Sequence, residues 1–319
     1  MNSPVTIVIP AYNRVSVIRR TLDSVASQQE RSARVVLVDN NSTDGTMDVM
    51  RQWAAANPQL DVVVVQEMKP GACAARNRGL REVETEFVMF FDSDDEMLPG
   101  HVGDFSRAIN DHPQFDIFGR SILIRELDGS TRKLYFISRS AMFNHLFRGC
   151  LSTQRMVVRT SLVRSVGGWN EALPGWNDYE LGVRLLLATD RLYELPGKPS
   201  VVTYRLENSI TGTSYSSRPQ NWELSLDAIE THVRAAGRTG LVTLIEARRM
   251  ILAAQYRQEA EGTADESMWL NAVKQSSRLH DEVTSRTAFP LRMRLVYLHN
   301  RYFKRLTWVA VKLLFPKYG

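Results

Sequence analysis

Residues 87–97 read FVMFFDSDDEM: five apolar side chains, Phe87 to Phe91, run straight into Asp92, Ser93, Asp94 and Asp95. An apolar run of that length, closed by polar residues and by Pro99-Gly100, predicts a strand buried in a parallel sheet and ending in a loop. The carboxylates then lie at the strand's C-terminal end, outside which open α/β sheets bind their ligands. Like charges crowded there repel one another and call for a cation. A divalent metal with oxygen ligands, shared with a phosphate-bearing substrate, meets that demand; a solvated acidic turn capping the helix after Pro99 is the alternative.

The same pattern recurs on the N-terminal side. Residues 5–9 (VTIVI) read as a strand ending in Pro10-Ala11-Tyr12-Asn13, followed by a helix over 14–29 with Val17, Ile18, Leu22 and Val25 at helical spacing. Residues 34–38 end in Asp39-Asn40-Asn41-Ser42 and lead into a helix carrying Met47, Met50 and Trp53; residues 61–65 are a third strand and 72–83 a helix. Strands alternating with helices predict a parallel sheet built by right-handed crossovers, so about the first 110 residues form a nucleotide-binding half. Further on, 115–124 and 131–137 across Asp128-Gly129 read as a hairpin, 139–147 as a helix, 154–158 as a strand, 179–188 as a helix, and 191–195 and 200–204 as strands. From about residue 215 the periodicity is helical, over 222–236, 241–260, 266–280 and from Pro290, which divides a domain over 1–215 from a helical extension over 216–319.

Composition bounds what such a chain does. With 319 residues, 44% of them hydrophobic, and no low-complexity tract or repeat, it buries a sizeable core. Cys73 and Cys150 are its only cysteines, which predicts free thiols in a reducing compartment and excludes a cysteine-built metal site. MNSPVTIVIP has no basic n-region, and no stretch of about 18 uncharged apolar residues occurs, so a cytoplasmic protein is expected. Residues 1–282 hold 32 Lys and Arg against 35 Asp and Glu, whereas 283–319 hold eight Lys and Arg and no acid. The basicity belongs to the tail, and so does any acidic partner.

Three strand ends, PAYN, DNNS and DSDD, fall along one edge of a parallel sheet and can meet on one ligand. No GxGxxG and no P-loop is present, so a sugar nucleotide fits best, its diphosphate on a metal at Asp94 and its base near Tyr12 and Asp39. VTIVIPAYNR, VVLVDNNSTDGT, GACAARNRGL, FFDSDDEMLPG, VGGWNE and WNDYELGVRL, in that order over residues 4–211, resemble the successive signatures of the family 2 glycosyltransferases. That resemblance implies a GT-A-like fold, a Rossmann-type mostly parallel sheet flanked by helices, here with the helical extension added. It further implies an inverting transfer from a nucleotide-sugar, UDP-sugar foremost, to a saccharide or lipid-linked saccharide, assisted by Mn2+ or Mg2+.

Carried position by position, the resemblance gives Pro10, Ala11 and Tyr12 to the base pocket, Asn13 to the nucleotide-sugar site, Asp39 to uracil, and Arg76 and Asn77 to the nucleotide. It gives Asp92 to the ribose, Ser93 and Asp95 to the donor site, Asp94 to the metal, and Asp178 to the general base, with Trp176 and Asn177 facing the acceptor. One base suffices for an inverting transfer, because it need only take the acceptor proton opposite the departing diphosphate. From position alone Asp178 is equally a helix N-cap, and Glu180 pairs with Arg184 as a routine surface pair. Trp169 and Trp176 either stack on a sugar face or pack into the protein. Asn177 stands where relatives commonly have Glu, and the 204–211 segment lacks the histidine some relatives give the metal. The six histidines form no metal-spaced pair.

In the tail, Leu291, Leu295, Leu298, Tyr302, Leu306, Val309 and Leu313 share a helical face beside a stripe of Arg294, Arg301, Arg305 and Lys312. Such a helix suits the anionic inner face of a plasma membrane, or packing on its own domain or a second subunit. Nucleic acid is not expected, as no basic surface with interleaved aromatics occurs elsewhere. A sugar-phosphate nucleotidyltransferase, which has no use for Asp178, and a non-catalytic membrane adaptor are the competing functions.

Overall fold

The computed structural model describes residues 3–29, 33–205, 219–260, 291, 295, 296, 298–300, 303 and 307–314. Strand and helix alternate first: β1 (Val5–Ala11), α1 (Ile18–Ala26), β2 (Arg34–Asp39), α2 (Thr46–Ala56), β3 (Val62–Gln66), α3 (Ala72–Arg81) and β4 (Phe87–Phe90). Then come β5 (Glu96–Met97), α4 (His101–Asp111), β6 (Ile117–Gly119), β7 (Ile122–Arg125), β8 (Thr131–Leu134), α5 (Ala141–Arg148) and β9 (Met156–Arg159). They are followed by α6 (Thr160–Ser165), α7 (Asn177–Ala188), β10 (Leu192–Glu194), β11 (Val201–Tyr204), α8 (Pro219–Ala235), α9 (Val242–Ala260) and α10 (Thr307–Leu314).

A seven-stranded sheet of order β10-β6-β9-β4-β1-β2-β3 carries the site. β1 pairs in parallel with β2 and β4, and β2 with β3; only β9 runs against its neighbours β4 and β6. Every residue of β1 and β4 is buried, as expected of strands covered on both faces. The register sets Ala11 beside Asp39 and Val8 beside Phe90, so the chain beyond each strand opens on one edge. α3 lies close over β1 and β2 because Gly79 has no side chain: a Cβ there would fall 2.3 Å from Val8 Cγ1.

Beyond β4 the burial alternates from Phe91 to Leu98, odd positions in and even positions half-exposed, and β5 pairs antiparallel with β11. A second sheet, β5-β11-β7-β8, thus grows out of the acidic loop itself. The strand expected over 115–124 is two strands, β6 in the large sheet and β7 in the small one, and only β7 forms the hairpin with β8. Between them Arg120 is buried and donates to Asp104 at 2.6 Å, Ser200 Oγ at 3.2 Å and the Pro196 carbonyl at 3.2 Å, which draws the chain out of a continuous strand.

The described chain divides into two compact units, Met1–Ser138 with Cys150–Glu207, and Arg139–Gly149 with Asn208–Gly319. α5, expected in the first domain, therefore belongs with the C-terminal helices. Within that second unit α5 buries Phe143 and Leu146, and α8 and α9 bury Trp222, Leu226, Ile229, Leu244 and Ile245. Arg249, 1% exposed, is clamped by Glu223 at 2.6 Å and Asp227 at 2.7 Å, while both carboxyl oxygens of the fully buried Glu246 lack a partner among the described residues. The helix expected over 266–280 lies outside the described residues. Of the tail, Val296, Asn300, Thr307 and Val311 are buried, whereas Leu291, Leu295, Leu298, Phe303 and Leu313 are exposed. Among the described residues no helix is long and apolar enough to cross a membrane.

Candidate active site

The loops after β1 and β2 brace each other. Asn13, in the left-handed region at φ 49°, takes Thr43 N–H on its side-chain oxygen at 2.9 Å and gives its own N–H to Ser42 Oγ at 3.0 Å. Arg14 N–H reaches Thr46 Oγ1 at 2.8 Å and Val15 N–H reaches Asp44 at 3.0 Å. The side-chain oxygen of Asn13, a residue expected at the nucleotide-sugar site, is thus a brace. Tyr12, held at the end of this scaffold, leaves 56% of its surface exposed. Asp39 is fully buried; its Oδ2 accepts Ser42 N–H at 3.0 Å, and its Oδ1 has no donor among the described residues. A buried carboxylate oxygen left without a donor costs about 1–3 kcal/mol, so a ligand N–H has a place to go.

Asp92 is held from two sides, by Arg76 Nη2 at 2.7 Å on Oδ1 and by Gln154 Nε2 on Oδ2. Arg76 is buried, lies 4.5 Å over the ring of Trp169, and leaves Nε and Nη1 without partners among the described residues. Burial works against its charge, but the charge and hydrogen bond of Asp92, with Cys73 and Asp178 adding, together outweigh it, so Arg76 stays cationic. Asp94 keeps 20% of its side chain exposed, 3.8 Å from Arg14 Nε. Burial first, then the Asp92 charge, raise the Asp94 carboxyl above the ordinary range, with Arg14 pulling it back. Asp95 is pushed further up, by burial and by Asp92 and Asp94; it accepts Tyr204 N–H at 3.1 Å. Ser93 is buried between them. Arg20 donates to the Asp94 carbonyl and stacks 3.7 Å over Tyr204, whose hydroxyl bonds Glu96 at 2.6 Å.

Asp178 is not an N-cap: Trp176, at φ 47°, precedes α7, and Asp178 lies in its first turn, accepting Tyr179 N–H on Oδ1 at 2.8 Å. A left-handed tryptophan is a strained position, of the kind that marks functional turns. Burial raises the Asp178 carboxyl, Arg76 opposes it, and Asp92 adds to the rise, so these three groups share one field. The loop leading to Asp178 is fixed by Asn77, which takes Trp169 N–H at 2.8 Å and donates to the Trp169 carbonyl at 2.9 Å and to Glu171 at 2.7 Å. Expected at the nucleotide, Asn77 therefore spends both ends of its amide on this loop. Trp169, 2% exposed and edge-on to Phe90 at 5.1 Å, packs inside and stacks on no sugar; Trp176 and Asn177 stay partly exposed. Glu180 and Arg184 are no surface pair: both are buried, bonded twice at 2.7 Å, and Arg184 ties α7 to the carbonyls of Val166 and Gly168.

Arg14, Arg20 and Gln154 were missed by sequence reasoning, and only for the first is there a local signal, its place in the loop after β1. Gln154 lies 62 positions from its partner Asp92. For the cation the donor set is suitable but small: Asp94 offers hard oxygen in a field that penalises its charge, and no group of three His, Cys, Asp or Glu assembles among the described residues. Mg2+ or Mn2+ held by one or two carboxylates, with phosphate oxygens and water completing the shell, fits such a site.

Residues 6–164 match the model of glycosyl transferase family 2, and the chain belongs to that family. Over 92 residues, 29% of the chain, it is 36% identical to a putative teichuronic acid biosynthesis glycosyltransferase of Bacillus subtilis, covering 36% of that protein. Over 121 residues, 38% of the chain and 39% of the relative, it is 26% identical to the GalNAc(5)-diNAcBac-PP-undecaprenol β-1,3-glucosyltransferase of Campylobacter jejuni. The chain thus spans well under half the length of these two relatives. The crystal structure of S. aureus TarS 1–349 in complex with UDP-GlcNAc superposes on all of the chain and 91% of that one, with a TM-score of 0.68 at 19% identity. A mannosyltransferase of Pyrobaculum calidifontis in complex with GDP-Man and Mn2+ gives 0.56 at 17% identity over 99% of the chain and 88% of its own. The fold is that of the GT-A glycosyltransferases, as the family resemblance implies.

Proposed function

We propose that this protein transfers a sugar from a nucleotide-sugar, UDP-sugar foremost, to a hydroxyl of a saccharide or lipid-linked saccharide, with inversion, in the assembly of cell-surface polysaccharide or glycolipid. The carrying observation is one sheet edge that bears a buried Asp39 oxygen with no donor among the described residues and a partly exposed Asp94, with the raised Asp178 carboxyl in the field of Asp92 and Arg76. Asp39 Oδ1 takes the base N–H and Tyr12 offers it a face. Asp94 holds the divalent cation, which when bound supplies Lewis-acid stabilisation to the departing diphosphate. Asp178, with Oδ1 occupied by Tyr179 N–H, takes the acceptor's hydroxyl proton on Oδ2. The acceptor oxygen bonds the anomeric carbon as the bond to the diphosphate breaks on the opposite face. A carboxyl raised by burial is a stronger base at neutral pH than a solvated one.

The test is UDP release from a panel of UDP-sugars with and without Mn2+ or Mg2+. Asp94→Ala abolishes the metal-dependent turnover, and Asp178→Asn lowers acceptor-dependent transfer by about 10²–10⁴-fold while UDP still binds. Failure of every UDP-sugar to bind with either metal refutes the UDP assignment, and release of pyrophosphate from a sugar phosphate and a nucleoside triphosphate would point to a nucleotidyltransferase.

The tail favours a membrane-side location, on the inner face of the plasma membrane. Of its expected apolar face, Leu291, Leu295, Leu298 and Leu313 are 42–76% exposed, beside the all-basic composition of 283–319. Anionic lipid answers both features, and a lipid-linked acceptor would reside there.

A further inference from the structure

Arg14 is the cation in ion-pair range of the Asp94 carboxylate among the described residues, Nε to Oδ2 at 3.8 Å; Arg20 reaches only the Asp94 carbonyl. Its side chain is 40% exposed and, among the described residues, held at its tip by nothing stronger than two 3.4 Å contacts to the Tyr12 and Asn13 carbonyls, whereas its backbone is anchored on Thr46 at 2.8 Å. A fixed backbone with a loosely held guanidinium lets the charge move while the loop stays. We infer that Arg14 is the resident counter-cation of Asp94, displaced when a divalent metal arrives together with a nucleoside diphosphate, so that it couples metal loading to nucleotide loading. This rests on the donor-site reading above. A bare divalent ion at Asp94 must lie against the Arg14 charge and displace it without recompense; a diphosphate brings negative charge that takes the guanidinium over. The nucleotide is thereby favoured as the metal's carrier, and by reciprocity the metal as the nucleotide's.

Titrating Mn2+ and following the free ion by electron paramagnetic resonance, with and without UDP, tests this in wild type, Arg14→Gln and Arg14→Lys. The Thr46 anchor is a backbone bond, so all three fold alike, which circular dichroism verifies. Without UDP, Arg14→Gln binds Mn2+ about fivefold tighter than wild type, the size of a half-exposed ion pair, and Arg14→Lys stays within about twofold of wild type. The gain in Mn2+ affinity conferred by UDP shrinks in Arg14→Gln. Equal or weaker binding of Mn2+ by Arg14→Gln, or an undiminished gain from UDP, overturns the inference. A wild type that takes up no Mn2+ even with UDP refutes the donor site itself, and this coupling with it.

Discussion

Asp95 shows what the acidic loop costs the fold. Its folded pKa stands well above 3.8, so the protonated form is the one the fold favours; that contribution is complete below about pH 3.8 and is lost as pH rises through the folded value. At neutral pH the carboxylate therefore works against the ligand-free protein. Asp95→Asn keeps an acceptor for Tyr204 N–H and removes the charge, so its melting temperature exceeds wild type at pH 7, and the difference closes toward pH 4 in thermal scans. Glu246 follows the same sign inside the helical unit. Burial first, then Glu230, push it up to about 8 against Arg249 and Arg234, so wild type loses stability relative to Glu246→Gln as pH rises from about 4.5, and the difference levels off above about 8. The acids of the donor site are legible in the sequence because strand ends announce themselves by an apolar run breaking into charge. Gln154 is not, since what gives it a role is a partner 62 positions away, and Arg14 is marked only by its place in the loop after β1, its partner Asp94 lying 80 positions on.

Elements differ in the same way. β1, β2 and β4 read clearly because burial on both faces demands unbroken apolar runs, while β5, two residues long, has no pattern to read. The split between β6 and β7 depends on a buried arginine, which composition would place outside. α3 carries two element-level predictions. Gly79→Val forces the helix off β1 and costs about 1–3 kcal/mol in chemical denaturation, because the added Cβ alone meets Val8. Asn77→Ala cuts three bonds to the loop before α7, costs about 1–3 kcal/mol, and lowers turnover while leaving UDP affinity near wild type, since Asn77 positions the loop carrying Asp178.

For the whole molecule, charge is segregated: a slightly acidic body of 282 residues and a tail of 37 with no acid. Replacing Arg294, Arg301, Arg305 and Lys312 by Glu is expected to abolish co-sedimentation with phosphatidylserine vesicles, and raising salt to weaken the wild type's binding progressively. Retention of the substituted protein on such vesicles rules out the electrostatic part of the attachment. The two units also interleave in sequence, which helical periodicity cannot reveal, because α5 reads as a helix wherever it ends up packing. Its partner α9 begins at Val242, nearly a hundred residues later. A ribosome adding about 5–20 residues per second needs about 5–20 s to cover that gap. Throughout that interval α5, which buries Phe143 and Leu146 in the folded protein, is without the helix it packs against, and so offers a chaperone something to hold.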